Sequence, residues 1–147
     1  TMSTEQNKAI VRMHLIDVLE QGRVDLIPSY YAPDGSNPAN DTPEQWRDRV
    51  LRHHKIGPGF KITILDMIAE GDKVAVLWEA DFTYSVMPDP PPEKPWYPFG
   101  KQVTWKIMNL VRIVDGKLVS STGANEWGKM MIDAGVYVLA KTEPATS

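Results

Sequence analysis

At Gly57-Pro58-Gly59 the spacing of apolar residues changes, and this change constrains the fold more than any other feature. Upstream, Ile10, Val11, His14, Leu15, Val18 and Leu19 recur every three or four residues, the period of a helix with one buried stripe. Downstream, Val74, Val76, Trp78, Ala80 and Phe82 alternate with Glu79, Asp81 and Thr83, the period of a strand with one buried face. A chain that places its helices first and its strands second predicts an α+β fold. In such a fold a curved antiparallel sheet wraps a long N-terminal helix.

Local signals divide the two halves further. Ser3, with Gln6 three residues on, caps a helix running to about Gln21, and Gly22 ends it. A second short helix is expected from about Val24 to Tyr31, then a loop from Ala32 to Pro43, rich in Pro, Asp, Asn, Gly and Ser. Thr42 caps a third helix with Pro43 in its first turn; Trp46, Val50, Leu51 and His54 are its apolar-face candidates. Strands are expected over Phe60–Ile68, Val74–Tyr84, Val103–Val114 and Leu118–Asn125. Glu70-Gly71-Asp72 and Asp115-Gly116 are hairpin turns, because Asp-Gly tolerates the positive φ angles of a type I′ turn. Glu126 to Ala134 reads as a short helical turn, and Val136 to Leu139 as one more edge strand.

Composition narrows the function. The 147 residues suit one domain, read here as spanning 1–147. With no cysteine, disulfides, thiolate metal sites and cysteine nucleophiles are excluded. A net charge of −3 with interspersed signs gives no basic face for nucleic acid. The polar start and the lack of a long apolar run predict a cytoplasmic protein that does not enter a membrane. One sheet face needs a partner beyond the helices, so a homodimer is expected.

Several segments, in order, resemble the SnoaL-like polyketide cyclase family of the NTF2-like superfamily. They are Ala9–Arg12, Val18–Ile27, Tyr31–Asp34, Arg49–Arg52, Ile68–Val76 with Trp78, Gly100–Trp105 and Arg112–Val119. The resemblance implies an NTF2-like cone with a closed pocket between helix and sheet. It also implies cofactor-independent lyase or isomerase chemistry of cyclase type on a hydrophobic carbonyl compound. A non-catalytic small-molecule-binding domain is the alternative.

Aligned on Asp115-Gly116, the family's acid/base aspartate falls at Glu126. A carboxylate moves protons near neutral pH when an apolar pocket raises its pKa. The other reading of Glu126 is a solvated residue at a helix N-terminus. Asn109 takes the place of a mid-strand aspartate of the family and shares a face with Trp105, Ile107, Val111 and Ile113. It is either a donor to a substrate carbonyl or an amide satisfied by backbone.

Two histidines of the family pattern are absent, in Asp34–Pro38 and in Phe82-Thr-Tyr84, where Tyr84 is a substitute donor. His14, on the buried stripe, and His54, four after Val50, are candidate ligand contacts, with His54 favoured over His53 as the inward member of that pair. Trp78, Trp105 and Trp127, with Trp96, are candidate flat walls. Three scattered histidines without paired carboxylate spacing do not make a metal site. Ser120 and Ser121 lack a partner base, and Ile107 with Asn109 does not fit the Asp-Arg-Asp network of an epoxide hydrolase. The Pro-rich run Pro88–Phe99 is either a lid carrying Trp96, Tyr97 and Phe99 or a stiff surface loop.

Overall fold

The computed structural model describes residues 2–87, 91 and 98–136. Trp96, Tyr97 and most of the expected Val136–Leu139 strand lie outside the described residues.

The chain opens with helix α1, Thr4–Met13, capped as expected: the Ser3 hydroxyl accepts from the Gln6 N–H, and the Gln6 side chain accepts from the Ser3 N–H. The helix continues as a π-helical stretch, His14–Glu20, in which the Gln21 N–H reaches back five residues to the Ile16 carbonyl. Ile10, Val11, Leu15, Val18 and Leu19 are buried along this double element. A 3₁₀ turn, Val24–Leu26, and a one-turn helix α2, Ile27–Tyr30, follow.

Strand β1, Tyr31–Ser36, replaces the start of the loop expected from Ala32. It pairs in parallel with the last strand only at Tyr31 with Leu118 and Ser36 with Ser120, across a shift of register. Helix α3, Pro43–Ile56, starts where predicted, and Gln45 completes a capping box with Thr42.

Four long strands form the meander: β2 Lys61–Glu70, β3 Lys73–Thr83, β4 Gln102–Val114 and β5 Lys117–Asn125. The sheet order is β1-β5-β4-β3-β2. Asp115 and Gly116 both take positive φ, 49° and 77°, as a type I′ hairpin requires. Helix α4, Trp127–Asp133, closes the described chain and buries Met130 and Met131 against Tyr84 and Val103.

Register fixes which side chains face inward. Val76 pairs with Asn109, Trp78 with Ile107, and Asn109 with Gly123, so these five positions and Val111 share the concave face. The opposite face carries Leu65, Ile68, Met108 and Leu110, exposed by between 44% and 66%. No helix among the described residues is long and apolar enough to cross a membrane.

Candidate functional site

Between the first helix, α3 and the concave sheet lies a cavity of about 430 Å³. Its walls are mostly apolar, with Val11, Leu15 and Leu19 on the helical side and Val76, Trp78, Ile107 and Val111 on the sheet side. A smaller cavity of about 240 Å³ adjoins it, lined by Ile56, Phe82, Tyr84 and Trp127 and sharing His53, Phe60 and Trp105 with the first.

The polar groups of the larger cavity are few and held in place. The Trp78 indole N–H donates to Asn109 Oδ1 at 2.8 Å. An indole can only donate, so the amide atom it meets is oxygen, and the NH₂ group takes the other side. That nitrogen lies over Gly123; a Cβ there would stand 2.7 Å from it and 3.2 Å from Pro38. The missing side chain at Gly123 is what makes room for the amide.

His14 is buried in the same way. Trp46 stacks on it at 6.0 Å between ring centres and donates its indole N–H to Nε2 at 3.3 Å. The neutral ring therefore carries its proton on Nδ1, which has no hydrogen-bond partner among the described residues. Burial pushes the His14 pKa down to about 4. His53 is also held down, at about 4, by burial and then by Arg49, Arg52 and His54. Both imidazoles are neutral at pH 7. Tyr31 lines the cavity too, but its hydroxyl is sealed from solvent without a partner among the described residues, and burial with the Asp41 charge keeps it protonated.

One ion pair braces the wall. Arg49 grips the buried Asp41 with Nε to Oδ2 at 2.6 Å and Nη2 to Oδ1 at 3.0 Å, and Asn37 donates to the same carboxylate. The Arg49 hydrogen bond, against the opposing effect of burial, holds Asp41 below the usual carboxylate range.

Of the residues singled out in the sequence, His14, Trp78, Trp105 and Asn109 meet in the larger cavity. Tyr84 and Trp127 line the smaller one. His54 faces away from both and donates from Nε2 to the Leu19 carbonyl at 2.6 Å, so the histidine that α3 turns inward is His53. Glu126 lines neither cavity: it is the exposed residue ahead of α4, its backbone N–H bonded to the Lys106 carbonyl. The residues it separates do line them, Asn125 the larger and Trp127 the smaller.

Sequence reasoning passed over Trp46, Arg49 and His53 as a set. Their spacing of three and then four was the available signal, one helix face rotated slightly from the one through Val50 and His54. Asn125 was legible by parity, since it pairs with inward-facing Ile107. Its Oδ1 accepts from the Trp105 indole at 3.1 Å and from the Trp127 backbone N–H at 3.0 Å. Among the described residues, no three His, Asp or Glu side chains converge as metal ligands.

Solved structures share this architecture. TsrD from Streptomyces laurentii superposes with a TM-score of 0.77 at 14% identity, over 93% of this chain and all of its own. A SnoaL-like polyketide cyclase from Agrobacterium tumefaciens gives 0.72 at 13% identity, over 92% of this chain and 100% of that one. A Catenulispora acidiphila protein with a ketosteroid isomerase-like fold gives 0.68 at 13% identity, over 87% and 93% of the two chains. At these identities the likeness establishes the fold. No curated protein sequence matches the chain. The sequence model of the SnoaL-like domain matches residues 11–121, from the first helix to the middle of β5, and the chain belongs to that family.

Proposed function

We propose that the larger cavity takes up a hydrophobic carbonyl compound of polyketide type and promotes its cyclisation or isomerisation by proton transfer, without a cofactor. One observation carries this reading: the Asn109 amide, its oxygen engaged by Trp78, is left with its N–H groups on an otherwise apolar wall. A fixed donor in a dry site stabilises the negative charge that builds on a carbonyl oxygen when a neighbouring carbon loses its proton. The indole of Trp105 and the aliphatic walls suit a flat ring system.

Two groups compete for the proton. His53 faces both cavities, its ring makes no hydrogen bond among the described residues, and its low pKa leaves it neutral and able to accept. Glu126 stands between Asn125 and Trp127, where a carboxylate reaches a bound substrate only by turning inward over the rim. A second reading, a binding domain without chemistry, is favoured by one fact: no carboxylate is among the residues lining the larger cavity.

Exchange of the α-protons of 1-tetralone in D₂O, followed by proton NMR, separates these readings. The enzyme reading expects exchange about a hundredfold above the protein-free rate. It also expects that rate to be lost in Asn109→Leu and in one of His53→Gln or Glu126→Gln. Saturable binding with no exchange would sink it in favour of the binding domain. The apolar outer strip of Leu65, Ile68, Met108 and Leu110 supports a homodimer as the working form. Light scattering is expected to give the mass of two chains, and a single-chain mass at micromolar concentration would refute it.

A further inference from the structure

Three indole N–H groups meet polar side chains of the larger cavity, and each takes the acceptor atom. Trp78 takes Asn109 Oδ1, Trp46 takes His14 Nε2 and Trp105 takes Asn125 Oδ1. Acceptors of the wall residue Asn37, and of Asp41, which pairs with the wall residues Asn37 and Arg49, are also engaged. Asn37 Oδ1 receives the N–H groups of Ala39 and Asp41, and the Asp41 carboxylate is closed by Arg49 and Asn37. The free atoms on the indole-bound side chains are therefore N–H donors: Nδ2 of Asn109, Nδ2 of Asn125 and Nδ1–H of His14. The geometry leaves no other assignment, because reversing the amide or moving the imidazole proton would set an N–H against an indole N–H. Ser121, His53 and the Tyr31 hydroxyl can each donate or accept and do not alter this bias.

We infer that Trp78 and Trp46 are positioning residues that fix the hydrogen-bond polarity of the cavity, turning Asn109 and His14 donor-side to the ligand so that the site selects an enolate or phenolate oxygen over a hydroxyl donor. This rests on the reading of the cavity as a site for carbonyl compounds and adds which protonation form it holds. An apolar surround sharpens such a choice: a ligand hydroxyl accepts from the N–H through its oxygen but leaves its own O–H without an acceptor out of water, whereas an oxyanion has no proton to place. Trp78 carries more of the effect than Trp46, its hydrogen bond being 2.8 Å against 3.3 Å.

The probe is 2-naphthol, whose neutral and ionised forms differ in absorbance. Its apparent ionisation pH is measured free and on saturation with protein. Wild type is expected to lower that pH by about one unit or more, a preference for the naphtholate of about tenfold. Trp78→Phe, which frees the amide to turn over, is expected to bring the preference to within about twofold while still binding the probe. Should Trp78→Phe not fold, Asn109→Asp decides. It keeps the shape, retains an oxygen for the indole and sets an acceptor towards the ligand, so the bound naphthol is expected to ionise at higher pH than the free one. A purely structural role for Trp78 would change how much probe binds and leave its ionisation where wild type puts it. Binding without preference in wild type, or a preference surviving in either variant, overturns the polarity inference and leaves the carbonyl reading standing. No saturable binding by wild type overturns both.

Discussion

Asn109 and Glu126 are polar residues near the same end of the β4–β5 ladder, in opposite surroundings. Asn109 sits mid-strand on a wall of Val76, Trp78 and Val111, its amide oxygen tied down by an indole. Glu126 lies exposed just past the end of β5, and among the described residues it hydrogen-bonds through its backbone alone. A weak donor set in an apolar wall becomes a strong local influence, because little water screens it. The difference teaches that the depth of a polar group, more than its charge, decides what it can contribute to chemistry.

Truncation in the two surroundings is the widest test of that contrast. Trp78, buried at the deep end, is expected to cost about 3–5 kcal/mol of stability as Trp78→Ala, and the half-buried Trp127 less than half of that as Trp127→Ala, in urea unfolding. Equal losses would mean that the rim packs as tightly as the interior.

A smaller effect comes from pH. In the unfolded chain His14 binds a proton below about pH 6.5, and in the fold it does not until about 4. The unfolded state therefore holds more protons between these values, and stability falls as pH drops through that window. For His14 the loss between pH 7 and pH 5 is expected to be about 2 kcal/mol, and His14→Leu should flatten the pH profile by that amount. His53 adds to the wild-type slope in the same direction. An unchanged slope in His14→Leu would show that the deep end is wetter than its packing implies.

The smallest effect sharpens the meaning of depth. The Tyr31 hydroxyl is buried without a partner among the described residues, so Tyr31→Phe is expected to be neutral or to stabilise by about 1 kcal/mol. Destabilisation, read by the same urea titration, would reveal a partner for that oxygen.

Much of the fold was legible because its signals are local. The Ser3 and Thr42 caps, the Asp115-Gly116 turn and the alternation from Val74 to Phe82 each depend on a few neighbouring residues. Strand β1 was not legible: Pro33, Asp34 and Gly35 read as a turn, and its two register points to β5 are set by tertiary contact alone. At the site, parity found Asn109 and helical spacing found His14. Neither could choose His53 over His54, which hangs on a carbonyl at Leu19, 35 residues away. Nor could parity show that Glu126 falls beyond the last inward position, because solvent exposure at a strand end depends on how α4 turns away.

The π-helical stretch from His14 to Glu20 has a consequence for how this family tolerates changes in chain length. A π turn holds about one residue more than the α turn it replaces, so the first helix carries a spare residue beneath the cavity. Deleting one residue between Leu15 and Leu19 would allow an ordinary α-helix to form with no gap in the backbone. The two halves of the helix would keep nearly the same faces, because a wider π turn rotates less per residue and one residue fewer at the α pitch spans close to the same total angle. His14 would stay by the Trp46 indole and the Leu19 carbonyl by His54. The fold and the donor wall would both absorb the shorter chain.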